Sequence, residues 1–140
     1  MSFAKPRIQP YIVPVAVYEL TEKDMVNLDK ALKEDYDGSK VDEILEKAAT
    51  GFSQIWRLGK SEGIIVSEII QRDDGLHLWV PQIGGRKILE KLDLLEDFFA
   101  KYGQEHGCVK FRCAVMRKGL QKVYSKRWKE IARIYERNLS

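Results

Sequence analysis

The chain has 140 residues, of which 44% are hydrophobic and 32% are charged. This balance is typical of one globular domain with its own core, and it excludes an intrinsically disordered protein. The longest apolar run, Tyr11 to Tyr18, is too short to span a bilayer and contains Pro14, so we expect no membrane contact. The first ten residues lack the apolar segment of a signal peptide, which argues against secretion by that route.

The net charge of +3 conceals an asymmetry along the chain. Residues 107–140 carry ten Lys or Arg against two Glu, a charge of +8, whereas residues 1–106 carry 14 basic and 19 acidic residues, a charge of −5. A basic segment beside an acidic body indicates an anionic partner: a phosphorylated cofactor, nucleic acid or an acidic protein surface. The alternative is a solvated charged surface without a partner.

The two cysteines, Cys108 and Cys113, are too few for a disulfide-stabilised secreted scaffold. Five positions apart on one predicted strand, they should lie on opposite faces, where they cannot bond to each other. Their apolar neighbours favour buried thiols over reactive ones, and we expect a reducing compartment.

Residues 1–20 form a predicted N-terminal arm ahead of a single domain, residues 21–140. Pro6, Pro10 and Pro14 fix backbone angles and remove hydrogen-bond donors, so the segment should be extended. It either lies along the domain as a strand or grips a neighbouring subunit, in which case the protein is a homo-oligomer.

Two acidic helices are predicted next. The first begins with the capping-box-like run from Thr21 to Asp24, and the second begins after Ser39 and ends near Gly51. Their acidic residues would repel phosphate groups, which argues against a DNA-binding helix-turn-helix.

Three strands follow at residues 52–58, 63–71 and 76–82, joined by turns of hairpin length, which predicts an antiparallel meander. A turn at Gly84-Gly85 should then open a long amphipathic helix that runs from Ile88 to Gly107. The next strand, residues 109–115, should pair parallel with the third strand through this crossover.

A short helix opening at Arg117 and running through Tyr124, and a last strand from Lys129 to Arg137, complete the chain. The predicted fold class is therefore α+β, a mixed sheet (antiparallel meander plus parallel βαβ crossover) with helices on both faces. Unpaired backbone N–H groups at the glycine turn and the helix dipole would together form an anion site.

This succession of elements, over roughly residues 21–139, resembles the GNAT N-acetyltransferase superfamily. In that family the pyrophosphate of acyl-coenzyme A binds the turn that opens the central helix. The signature is Arg or Gln, two residues, Gly, one residue, then Gly or Ala. The run Gln82-Ile83-Gly84-Gly85-Arg86-Lys87 keeps the first and fourth positions and has a lysine at the sixth. The resemblance implies that acetyl-coenzyme A binds at these six residues.

A closer resemblance is to small GNAT-like proteins encoded by tailed bacteriophages. The shared features are the Gly84-Gly85-Arg86 turn, the Gly107-Cys108 pair and the basic turn Arg117-Lys118-Gly119-Leu120, in that order; Arg127 stands where those proteins have glycine. The resemblance implies a viral origin, a location in the bacterial host cytoplasm or the phage particle, and other phage or virion proteins as partners.

Acetyl transfer to an amine requires a base for the amine and an acid for the departing thiolate. Glu68 is the only carboxylate within the strand pair before the turn, so it is the candidate base; the alternative is a glutamate paired with a lysine. Tyr124 resembles the family's tyrosine acid, with a packing tyrosine as the alternative. His77 and His106 lack partners at metal-ligand spacing, so we predict no metal site.

Three functional hypotheses result. The leading one is a catalytically degenerate GNAT-like phage protein that serves as a structural or binding component of the virion or of its assembly. The second is an acetyl-coenzyme A-dependent N-acetyltransferase acting on an amine. The third is nucleic-acid binding through the basic C-terminal third.

Overall fold

Alternating apolar residues and short glycine-containing turns produce a sheet flanked by helices. The computed structural model describes residues 10–33, 40–114, 129–131 and 134–139. The strands are β1 (Ile12–Val15), β2 (Ser53–Leu58), β3 (Gly63–Arg72), β4 (Gly75–Gly85), β5 (Cys108–Ala114), β6 (Lys129–Ile131) and β7 (Ile134–Asn138). The α-helices are α1 (Glu22–Lys33), α2 (Val41–Ala49) and α3 (Leu92–Glu105), with short 3₁₀ turns at Val17–Glu19 and Leu89–Lys91.

The strands form one mixed sheet in the order β1-β2-β3-β4-β5-β7-β6. Strands β2, β3 and β4 are an antiparallel meander, and β4 pairs parallel with β5 after the α3 crossover. The α+β class, the meander and the parallel crossover are therefore confirmed.

Two apolar clusters place helices on both faces of the sheet. On one face Leu92, Leu95 and Phe99 of α3 pack against Trp56 and Leu78. On the other face Leu28 of α1 and Ile44 of α2 pack against apolar residues of β1, β2 and β3: Val15, Ile55, Ile64 and Val66. The alternation of side chains along each strand divides them between these two clusters.

The start of α1 is fixed by a capping box and a buried ion pair. The Asp24 amide donates to Thr21 Oγ1 at 3.2 Å, and the Thr21 amide donates to Asp24 Oδ2 at 2.9 Å. Arg57 of β2 donates to the fully buried Asp24 carboxylate from Nη2 at 2.7 Å and from Nε at 3.0 Å. Burial alone would raise the pKa of Asp24, but hydrogen bonds from Arg57, Thr21 and Ser61 hold that pKa below its ordinary value.

Of three terminal elements, the strand alternative for the N-terminal arm is confirmed, the single last strand is not, and the short helix through Tyr124 is untested. Within the predicted arm, Ile12–Val15 pairs with β2 as an edge strand, and residues 1–9 lie outside the described ranges. The prediction of a single last strand from Lys129 to Arg137 is wrong, because two antiparallel strands, β6 and β7, lie there. The predicted short helix through Tyr124 lies among residues 115–128, which the structure does not describe.

Cys108 and Cys113 are buried thiols that form no disulfide, as predicted, but they do not lie on opposite faces. The register of β5 against β4 shifts by one residue next to Cys108, so Val109 is an extra residue in β5. This bulge returns both thiols to the α3 side of the core. Burial raises the pKa of Cys108.

Across the described ranges, no helix is long and apolar enough to span a membrane.

Candidate functional site

The predicted glycine turn is wrong in its position. Gly84 and Gly85 are the last residues of β4 and pair in register with Ile64 and Gly63 of β3. The chain turns only at Arg86, and α3 begins at Leu92 after a 3₁₀ turn.

Close packing is the reason glycine occupies both positions. A Cβ atom on Gly84 would lie 2.3 Å from the Asn27 carbonyl oxygen and 2.8 Å from Ala31 Cβ, because α1 crosses the strand there. Gly85 has φ +134°, and its Cβ atom would lie 2.4 Å from the Glu62 carbonyl oxygen. The pair therefore allows α1 and the β2–β3 turn to approach the backbone of β4.

The residues after the glycines are bonded to the β2–β3 turn. The Arg86 amide donates to the Glu62 carbonyl oxygen at 3.2 Å. Lys87 Nζ lies 3.5 Å from Glu62 Oε1, and the Tyr11 hydroxyl donates to Glu62 Oε2 at 2.6 Å. Burial and the Glu62 carboxylate raise the pKa of Tyr11 to about 12, and the Tyr11 hydrogen bond lowers the pKa of Glu62.

On the α3 side, a small apolar cavity lies between the helix and the end of β4. It has a volume of about 10 Å³ and includes Ile83, Val80 and Leu92 in its lining. That volume holds no more than about one water molecule. Strand β5 pairs with β4 from Leu76 to Val80, five residues short of the end of β4.

On the α1 side, an open pocket of about 470 Å³ lies beside the turn. We call it the α1 basic pocket, because five of its lining side chains are cationic: Lys23, Lys30, Lys60, Arg86 and Lys87. Glu62, Asn27 and Ser61 also line it. This charge favours an anionic ligand and brings two of the predicted cofactor-binding residues, Arg86 and Lys87, together.

Glu68, the predicted base, lies in β3 on the face covered by α2, with 8% of its surface exposed. Ser53 Oγ donates to Glu68 Oε1 at 3.2 Å, and Lys47 Nζ lies 3.7 Å from the same oxygen. The lysine pairing offered as the alternative is therefore present. Tyr124, the predicted acid, lies outside the described residues, so both catalytic assignments stay predictions.

Sequence reasoning missed a second cleft, at the edge of the sheet where β1 ends. It has a volume of about 620 Å³, and its lining includes Glu19, Phe52, Ser53, Glu68 and Tyr102. These residues come from four separate segments of the chain, so no local pattern could have grouped them. We call this site the edge cleft.

His77 and Trp56 occupy structural positions. His77 Nε2 lies 2.6 Å from Asp74 Oδ1, and in the described part of the chain no group of three or more His, Cys, Asp or Glu could hold a metal ion. Trp56 packs edge-on against Phe99 in the core and donates from Nε1 to Ser67 Oγ at 2.8 Å.

No protein-family model matches the chain, and no curated protein matches it.

Proposed function

We propose that the chain is a GNAT-like protein of bacteriophage type that does not transfer acetyl groups. Its role is to bind other phage proteins, in the virion or during its assembly. The observation that carries this proposal is the packing of Gly84 and Gly85, which fills the position where the resemblance places the cofactor pyrophosphate.

The order of the elements supports the scaffold part of the proposal. Two helices precede an antiparallel meander, and the third strand of that meander leads through a long helix to a parallel strand. This is the succession on which the resemblance to the superfamily was based. The same scaffold can host unrelated functions, so the choice between them depends on the site.

Two contacts near the turn and the small size of the cavity beside it argue against pyrophosphate binding. An anion site at a helix start requires backbone N–H groups directed at open space. Here the Arg86 amide is bonded to Glu62, and α1 lies so close to Gly84 that not even a methyl group fits between them. The cavity on the opposite face, about 10 Å³, is too small for an acyl chain. A phosphate group could reach the Arg86 amide only if the β2–β3 turn moved away, and it could approach Gly84 from the α1 side only if α1 moved.

Co-sedimentation with phage particles tests the binding role. Particles purified from an infected culture would be probed with an antibody raised against the full chain. We expect the chain at a constant ratio to the major capsid protein through successive gradients. Recovery only in the soluble lysate, with none in particles or assembly intermediates, would contradict the proposal.

The second candidate is an acetyl-coenzyme A-dependent N-acetyltransferase acting on an amine. The α1 basic pocket favours it, because Arg86 and Lys87 with three further lysines could hold phosphate groups. Glu68 would then be the base and Tyr124 the acid. Release of free coenzyme A thiol in the presence of a panel of amines, lost in Glu68→Gln, would favour this candidate over the first.

Nucleic-acid binding through residues 107–140 is a third candidate, favoured by the charge of +8 on that segment. Binding of this kind loses affinity steeply as salt is added, because counterions are released from the phosphates. A fluorescence-anisotropy titration with duplex DNA at several salt concentrations measures that slope.

A further inference from the structure

The edge cleft exists because two neighbouring strands end at different levels. Val15, the last residue of β1, pairs with Ile55, whereas β2 begins two residues earlier. Ser53 and Gln54 pair with β3 only, and the space beside them continues into the cleft. Its volume of about 620 Å³ is within the range of sites that bind small molecules or single side chains.

The lining of the edge cleft is suited to a cation. Two carboxylates, Glu19 and Glu68, line it, and among its described lining residues there is no Lys or Arg. The Ser53 and Ser67 hydroxyls and the Gln54 amide supply further hydrogen-bonding groups, and two aromatic residues, Phe52 and Tyr102, also line the cleft. Phe52 is 56% exposed, which is unusual for a phenylalanine and leaves much of its ring open to contact.

Lys47, at the end of α2, shows how an ammonium group is accommodated at this site. Its Nζ lies 3.7 Å from Glu68 Oε1 and 5.6 Å from the centre of the Phe52 ring. A carboxylate on one side and an aromatic ring on the other is the usual environment for a bound alkylammonium group. The Nζ–Oε1 distance exceeds that of a direct hydrogen bond, and the Lys47 side chain is 49% exposed, so the pair is weak.

We propose that the edge cleft binds the ammonium group of a lysine side chain presented by a partner protein. In the free chain Lys47, which is not itself a lining residue of the cleft, has its Nζ beside the same Glu68 carboxylate and Phe52 ring, and it therefore competes with that partner for these two groups. The entering ammonium contacts Glu68, Ser53 and the Phe52 ring, and Lys47 swings out to solvent. This inference depends neither on a phage origin nor on acetyl transfer.

Nuclear magnetic resonance of the isotopically labelled full chain tests the proposal. The probe is a blocked pentapeptide with lysine between glycines, and the matched control replaces the lysine with norleucine at equal ionic strength. We expect the amide signals of Phe52, Ser53 and Glu68 to shift with the lysine peptide and not with the control. Equal shifts with both peptides, or no shifts at millimolar lysine peptide, would overturn it.

Two substitutions give effects of opposite sign. Glu68→Gln removes the charge that the ammonium contacts and should abolish the shifts. Lys47→Met removes the competitor and should tighten binding about two- to fivefold, the factor that corresponds to a weak, exposed ion pair. Lys60→Met, in the α1 basic pocket, is the charge-matched control and should leave binding unchanged.

If Glu68→Gln fails to fold, the Lys47→Met variant decides the matter. Weaker or unchanged binding in Lys47→Met would refute the competition, and with it the assignment of the cleft as a lysine site.

Discussion

Replacing Gly84 by alanine should destabilise the protein strongly, because the added methyl group has no room. It would lie 2.3 Å from the Asn27 carbonyl oxygen and 2.8 Å from Ala31 Cβ. Both atoms belong to the core of α1, so relief requires the whole helix to shift. Overpacking of this kind costs about 1–3 kcal/mol, and the rigidity of the neighbours places Gly84→Ala near the upper end. For a chain of this size, about 3 kcal/mol lowers the melting temperature by roughly 10 °C.

Urea unfolding, followed by tryptophan fluorescence and by circular dichroism, measures this loss as a change in the free energy of unfolding. Gly107→Ala is the matched control: nothing lies within 4 Å of the added Cβ atom there, and the cost is only the left-handed backbone at φ +76°, about 1 kcal/mol. If Gly84→Ala loses no more free energy of unfolding than the control, α1 does not pack closely on Gly84, and the proposal that this packing excludes the pyrophosphate is refuted.

Three further predictions concern ionisable groups. Asp24→Asn should lose about 3 kcal/mol of unfolding free energy, because it leaves a guanidinium without its buried carboxylate. The Asp24 carboxylate has a lowered pKa, so its contribution to the free energy of unfolding is complete above the unfolded pKa of about 4 and disappears as the pH falls through the folded pKa. The free energy of unfolding should therefore fall more steeply with decreasing pH in the wild type than in Asp24→Asn. Tyr11 has a pKa raised to about 12, so its contribution to the free energy of unfolding is complete below pH 10 and disappears as the pH rises through the folded pKa. Burial also raises the pKa of Tyr102, so ultraviolet titration should show late tyrosinate formation that Tyr11→Phe reduces but does not remove. Cys108 and Cys113 should react slowly with Ellman's reagent in the native protein and rapidly in denaturant, and a fast native reaction would contradict their burial.

The local elements were predictable because each is specified by neighbouring residues. The capping box at Thr21 and Asp24 sets the start of α1, and the apolar spacing of Leu95 and Phe99 sets the buried face of α3. The turns of hairpin length between β2, β3 and β4 likewise predicted the antiparallel meander and the order of its strands.

The site was harder to predict because its contacts join distant segments. A glycine pair between a strand and a helix is typical of a turn, but Gly84 is required here by a helix more than fifty residues earlier in the chain. The Asp24–Arg57 ion pair spans 33 residues, and the extra residue at Val109 places Cys108 on the same face as Cys113, where simple alternation would put them on opposite faces. None of these contacts leaves a periodic signal in the sequence.

Titration with acetyl-coenzyme A tests the central claim most directly. A ligand present at a hundred times its dissociation constant stabilises the native state by about 2.7 kcal/mol, which would raise the melting temperature by roughly 10 °C. Because Gly84, Gly85 and the Arg86 amide are all engaged within the fold, we predict no change in the melting temperature at millimolar acetyl-coenzyme A. A rise of several degrees would contradict the account, and its loss in Lys87→Met would place the cofactor at the turn or in the adjoining α1 basic pocket.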